Sequence, residues 1–149
     1  KLQNKKLIDD RVAQVTSQMS KDLRMRKLVF AFQKRIAYNI PKGYRGSILN
    51  GRDVTYNIVP DATFKFYVTA SIYARSKRRQ KELMKLGKRV SFKEIMQSLK
   101  KRDKSDKNRP RRQGRLEKTK ESLLINTTNL TIKSSFLTVK KIIDSKLNK

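Results

Sequence analysis

Two short apolar runs set the frame for this chain. Ser47-Ile48-Leu49-Asn50 leads into Gly51-Arg52-Asp53, and Phe64-Lys65-Phe66-Tyr67-Val68-Thr69 leads into Ala70-Ser71. Runs this short, rich in β-branched and aromatic residues and halted by small or polar ones, are the pattern of buried strands. A third run, Leu123-Leu124-Ile125, stops at Asn126-Thr127-Thr128. Helical patterns lie between the second and third runs, so the expected class is α/β, a parallel sheet flanked by helices. Gly51 lets the backbone turn tightly where a ligand can come close. Arg52 and Asp53 then sit just past a strand's carboxyl end, where open α/β sheets bind ligands.

Around these runs the spacing predicts helices. Leu7, Ile8, Val12, Val15 and Met19 recur every three or four residues within 2–25, one face of an amphipathic helix. Ser20 is the expected cap of a second helix over 22–37, which Pro41, Gly43 and Gly46 break. Ser71 caps a helix over 73–86 that ends at Gly87, and Ser91-Phe92-Lys93-Glu94 opens another over 91–101 with a capping box. From 102 to 120 charges dominate, with Pro110 and Gly114 among them, and the pattern reads as a solvated, mobile segment or lid. A last helix lies within 130–147, with Phe136, Val139, Ile142 and Ile143 on one face. The expected layout is a helical region over 1–45, an α/β core over 46–101, the lid, and a closing strand and helix over 121–149.

Charge narrows the function. Among 149 residues, 39 are Lys or Arg and 12 are Asp or Glu, a formal net charge of +27. Polyanionic partners are expected: nucleic acid, anionic lipid or nucleotide phosphates. Cys and His are both absent, which removes thiolate chemistry, disulfides, the commonest general base and the commonest metal ligand. Any catalysis rests on carboxylates, hydroxyls, Lys and Arg. No apolar run approaches the ~18 residues of a membrane span, so the expected setting is cytoplasmic.

Arg102, Asp106 and Arg109 are the sharpest local motif, and spacings of four and seven put them on one face if the segment is helical. Two arginines flanking a carboxylate can clamp phosphates while the carboxylate accepts from a ribose hydroxyl. On composition the same residues are also a solvated basic helix end. Gly51-Arg52-Asp53, Pro60-Asp61-Ala62, Lys65 and Ala70-Ser71, with Arg102-Asp103, Asp106 and Arg109 downstream, together resemble the bacterial cytidylate kinases. Ser17, Arg26 and Gln33 fall at the family's intervals upstream.

The resemblance implies the fold of a P-loop nucleoside monophosphate kinase, incomplete at its amino-terminal (P-loop) strand, and transfer of a phosphoryl group from ATP to CMP or dCMP. It implies that Ser17, Arg26 and Asp53 read cytosine and that Arg52 grips the monophosphate. Arg102 and Arg109 become phosphate-binding lid arginines with a catalytic role, and Asp106 contacts the sugar. Arg75, Arg78 and Arg79 match the family's arginine-rich helix, read foremost as a basic helix face and secondly as sharing in nucleotide binding. ATP and Mg2+ are the implied cofactors, and a monomer is the implied state. Gly-x-x-x-x-Gly-Lys-Ser/Thr, which cradles nucleotide phosphates, occurs nowhere in the sequence. A fragment of such a kinase, inactive as it stands, is therefore expected.

Three departures from the family stand out. Asn50 replaces an acidic residue that helps organise the magnesium site. Pro110-Arg111-Arg112-Gln113-Gly114-Arg115-Leu116 replaces a shorter lid sequence, and Thr55-Tyr56 replaces Gly-Thr. The rival reading is a basic nucleic-acid-binding protein without catalytic activity, supported by the charge and by the cluster from Lys100 to Arg115.

Overall fold

A computed structural model describes residues 10–19 and 22–148. The chain divides into two compact units, Lys1–Pro60 with Arg109–Arg115, and Asp61–Asn108 with Leu116–Lys149.

The second unit is the α/β part. Strands β1 (Phe66–Thr69) and β2 (Leu123–Asn126) pair in parallel, from Phe66 beside Leu123 to Thr69 beside Asn126. Leu123 N donates to Lys65 O at 2.9 Å and Thr127 N to Thr69 O at 2.8 Å, which extends the ladder at both ends. These are the second and third expected strands, in the expected parallel sense. The crossover between them carries α3 (Ile72–Lys85) and α4 (Phe92–Asn108). Ser71 Oγ accepts from Ala74 N at 3.2 Å, the expected cap. At the other end Gly87 N and Lys88 N bond back to Met84 O and Leu83 O, each at 3.0 Å, and close the last turn.

Helix α4 opens with the reciprocal bonds its sequence predicts. Glu94 N donates to Ser91 Oγ at 3.1 Å and Ser91 N to Glu94 Oε2 at 3.0 Å. Ser91→Ala should cost about 1 kcal/mol, read as a lower urea midpoint at unchanged slope.

Charge patterning misplaces the end of this helix. Residues 102–108 continue α4 instead of forming a mobile segment, because their carboxylates find partners. Arg75 grips Asp103 with both guanidinium nitrogens, Nη1 to Oδ1 at 2.8 Å and Nη2 to Oδ2 at 2.5 Å, while its Nε donates to Ala70 O at 3.1 Å. Lys and Arg are also good helix formers. The Arg75 hydrogen bond, more than the nearby charges, holds the Asp103 carboxyl below its usual 3.8.

A depressed carboxylate stabilises the fold above its unfolded pKa, and that contribution fades as pH falls through the folded value. With both side chains about one-third exposed, solvent screening limits the pair to roughly 1 kcal/mol. Asp103→Asn should therefore lower the urea midpoint at pH 7, and the gap to the parent should shrink below about pH 4.

Leu83 and Ile95 are buried at 4% exposure each, and Tyr73 meets Phe92 edge to face at 5.3 Å between ring centres. Arg78 donates to the carbonyls of Thr127 and Leu130, the latter at 3.1 Å. It thereby ties α3 to the turn before α5 (Ile132–Leu147), which opens on a Thr131–Ser134 capping box. Arg79 pairs with Glu82 at 2.9 Å. The arginine-rich helix thus serves the packing of its own unit.

The first unit is helical, with α1 (Asp10–Met19) and α2 (Leu23–Tyr38). The earlier part of the first expected helix lies outside the described residues, as does Ser20. Asp22 caps α2 instead, its Oδ1 accepting from Arg24 N at 2.7 Å and Met25 N at 3.4 Å. Residues 47–50, expected as a strand, form none. Ser47 Oγ donates to Ala37 O at 2.9 Å, but Ile48 is fully exposed. An apolar run becomes a strand when a neighbour supplies the other half of the ladder, and the described residues of this unit contain no strand. Gly51 meets a close approach within the chain itself. Its φ is not positive, and an added Cβ would lie 2.6 Å from Val54 Cγ2. Val54–Ile58 then forms a single π-helical turn with Ile58 buried.

Among the described residues no helix is long and apolar enough to cross a membrane.

Candidate functional site

Two residues 27 positions apart in sequence meet in the first unit. Arg26, in the first turns of α2, places Nη2 2.6 Å from Oδ2 of Asp53, and their side chains are 20% and 13% exposed. Asp53 stands at the head of the π-helical turn, its carbonyl accepting from Asn57 N at 2.9 Å. Asn57 Nδ2 donates to the same Asp53 Oδ2 at 3.2 Å. A guanidinium, a carboxylate and an amide thus converge where partial burial reduces screening by water.

The loop at Arg109–Arg115 belongs to this unit and covers the pair. Arg111–Gln113 makes one 3₁₀ turn, and Gly114 follows in the left-handed region at φ 80°. A Cβ on Gly114 would fall 2.8 Å from both Arg26 Nη2 and Asp53 Oδ2. Only a residue without a side chain fits this approach and this φ together. Tyr56, in the middle of the π-helical turn, donates its hydroxyl to Arg115 O at 2.7 Å. The Arg111 guanidinium carbon sits 4.6 Å from the centre of the Tyr56 ring, within cation–π range.

The structure brings together Arg26 and Asp53, two residues that the family resemblance assigns to the same base. Ser17 lies on α1, with its side chain outside the described residues. Arg52 is half-buried next to Asp53 in the chain. Arg102 and Asp106 share α4, four residues apart, but α4 ends at Asn108, so Arg109 is not on that helix. Arg102 is exposed and Asp106 is buried at 6% exposure. The Asp106 carbonyl accepts from Leu116 N at 3.0 Å.

Asn57, Tyr56 and Gly114 are the parts that sequence reasoning missed. A lone glycine inside a charged stretch was the available signal for Gly114. The contacts of Tyr56 span 59 residues to Arg115 and leave no local trace.

Asn50 is exposed. Among the described residues no group of three or more His, Cys, Asp or Glu side chains is placed to hold a metal ion. The phosphate-cradling glycine motif is likewise missing from the sequence.

A sequence model described as cytidylate kinase matches residues 1–145. The cytidylate kinase of Thermosipho melanesiensis is 36% identical over 130 residues, covering 87% of this chain and 57% of that protein. That of Bartonella bacilliformis is 36% identical over 120 residues, 80% of this chain and 53% of that protein. That of Brucella ovis is 36% identical over 123 residues, 83% and 53% respectively. The chain spans about half the length of the curated relatives it matches.

Proposed function

Because the chain belongs to the cytidylate kinase family, we propose that it carries the monophosphate-binding side of an enzyme that transfers a phosphoryl group from ATP to CMP or dCMP. The observation that supports this reading most is the Arg26–Asp53 pair at 2.6 Å. Cytosine offers an amino donor beside two acceptors on one edge. A carboxylate accepts from the amino group, and a guanidinium with a hydroxyl serves the acceptors. Asp53, Arg26 and Ser17 are assigned these roles.

Arg52 binds the monophosphate, and Asp106 accepts from a sugar hydroxyl. Arg102 and Arg109 neutralise charge on the transferring group, the main task a protein has in phosphoryl transfer. ATP and Mg2+ enter this reading through the family, ATP as phosphoryl donor and Mg2+ as counter-charge for its phosphates.

Calorimetric titration of residues 1–149 with CMP tests the assignment. Asp53→Ala should weaken binding by about 1–3 kcal/mol, the cost of leaving polar partners unpaired, or about 5–150-fold in Kd. An unchanged Kd would remove Asp53 from base reading. A DNA duplex titrated at two salt concentrations is the companion measurement. Tight DNA binding that collapses with salt, with no CMP binding, would favour a nucleic-acid-binding role instead.

A further inference from the structure

We propose that Tyr56 and Gly114 form a clasp that seats the 109–115 loop on the Arg26–Asp53 pair and so positions these two side chains for base selection. The inference rests on the reading above that Arg26 and Asp53 meet the base. Its observations lie within one compact unit.

Three features converge on the loop. The Tyr56 hydroxyl holds the carbonyl of Arg115 at 2.7 Å, and its ring lies under the Arg111 guanidinium. One side chain therefore holds Arg111, which opens the 3₁₀ turn, and Arg115, two residues past its end. Gly114, between those two anchor points, brings its backbone so close to the ion pair that a methyl group would fall 2.8–2.9 Å from Arg26 Nη1, Nη2 and Asp53 Oδ2. The loop backbone thus walls one side of the pair and limits where the guanidinium can swing. The third feature is the register of Tyr56 itself. The π-helical turn that carries it also begins at Asp53 and places Asn57 on the Asp53 carboxylate. One turn of backbone thereby sets the base-facing carboxylate, its amide partner and the hydroxyl that holds the loop.

An unclasped loop frees Arg26 to leave Asp53. The carboxylate then meets an incoming ring without its guanidinium partner, and selection by the ring's C4 substituent weakens. An amino group at C4 donates to Asp53, whereas a carbonyl there opposes it, so the ratio of CMP to UMP affinity reports this positioning. General loosening of the unit would weaken both ligands together and leave the ratio in place.

The test uses the full 149-residue chain as parent, Tyr56→Phe, Gly114→Ala and Asp53→Ala, with circular dichroism to confirm folding. Tyr56→Phe keeps the ring beneath Arg111 and removes the hydroxyl, and Gly114→Ala inserts the methyl group between loop and pair. Hydrogen exchange should speed up about tenfold in the peptide covering 110–116 in both clasp variants, while peptides from α3 and α4 keep their rates. The CMP/UMP affinity ratio should fall severalfold in both. Unchanged exchange over 110–116, or a preserved ratio with CMP and UMP weakened alike, would overturn the clasp. If Asp53→Ala weakens CMP while the clasp variants keep the parent ratio, the clasp fails and the base-reading assignment stands. If Asp53→Ala also leaves CMP binding untouched, the assignment itself fails, and the clasp's role in base selection falls with it. Should Tyr56→Phe fail to fold, Gly114→Ala gives the same two readouts.

Discussion

Purified residues 1–149 should give no ATP-dependent phosphorylation of CMP, even at enzyme concentrations in the micromolar range. Phosphoryl transfer asks a protein to hold the phosphates in line and neutralise their charge. P-loop enzymes do this with successive backbone N–H groups, a lysine and a metal-binding hydroxyl. The nearest spacing in this chain is Gly46-Ser47-Ile48-Leu49-Asn50-Gly51, but Arg52-Asp53 follows it in place of Lys-Ser or Lys-Thr. The Asp53 carboxylate would repel a phosphate, and it is already engaged by Arg26 and Asn57. Gly51 is packed against Val54, and the turn that follows is π-helical, not the start of an α-helix. Release of ADP coupled to a reporter enzyme measures the outcome. Sustained, CMP-dependent ADP release would show that these residues hold ATP after all.

Leu83→Ala should cost about 2–5 kcal/mol, the range for deleting a buried leucine side chain. Leu83 is 4% exposed and lies on α3, which packs on α4, where Ile95 is equally buried. Its backbone carbonyl accepts from Leu86 N and Lys88 N at the helix end, and alanine leaves those bonds in place. The loss should therefore come from packing. Against a typical total of 5–15 kcal/mol, such a loss removes a large share of the stability. Leu28→Ala is the control, since Leu28 is 68% exposed and a surface change usually stays within about 0.5 kcal/mol. Urea unfolding gives both numbers. Equal effects at the two sites would mean that α3 and α4 do not form the core.

What the sequence shows of this fold follows the range of each interaction. The caps Ser71 and Ser91 were legible because each acts on an amide three residues away. Strands β1 and β2 were legible from composition, since β-branched and aromatic runs mark them. Residues 47–50 have the same composition and form no strand, because a ladder needs a second segment that local sequence does not report. The tail of α4 was obscured for the opposite reason. Its charges resemble solvated loop until Arg75, 28 residues earlier, is seen to grip Asp103. Arg26 and Asp53 could be paired through a family resemblance, but not through spacing. Tyr56 and Gly114 answer to neither, because Tyr56 reaches a carbonyl 59 residues on and Gly114 approaches an ion pair formed by two other segments.

The parallel pairing of β1 with β2 also sets an order in time. Thr69 and Thr127 are bonded across 58 residues of chain. At roughly 5–20 residues per second of synthesis, β1 waits about 3–12 s for its partner. During that interval α3 and α4 can already pack through contacts close in sequence, while Val68, 62% exposed even in the finished fold, lies on a strand that still lacks β2. The vulnerable species is thus a nascent helical hairpin preceded by a β segment whose β2 edge is still open. Its yield depends on how quickly residues 123–126 leave the ribosome.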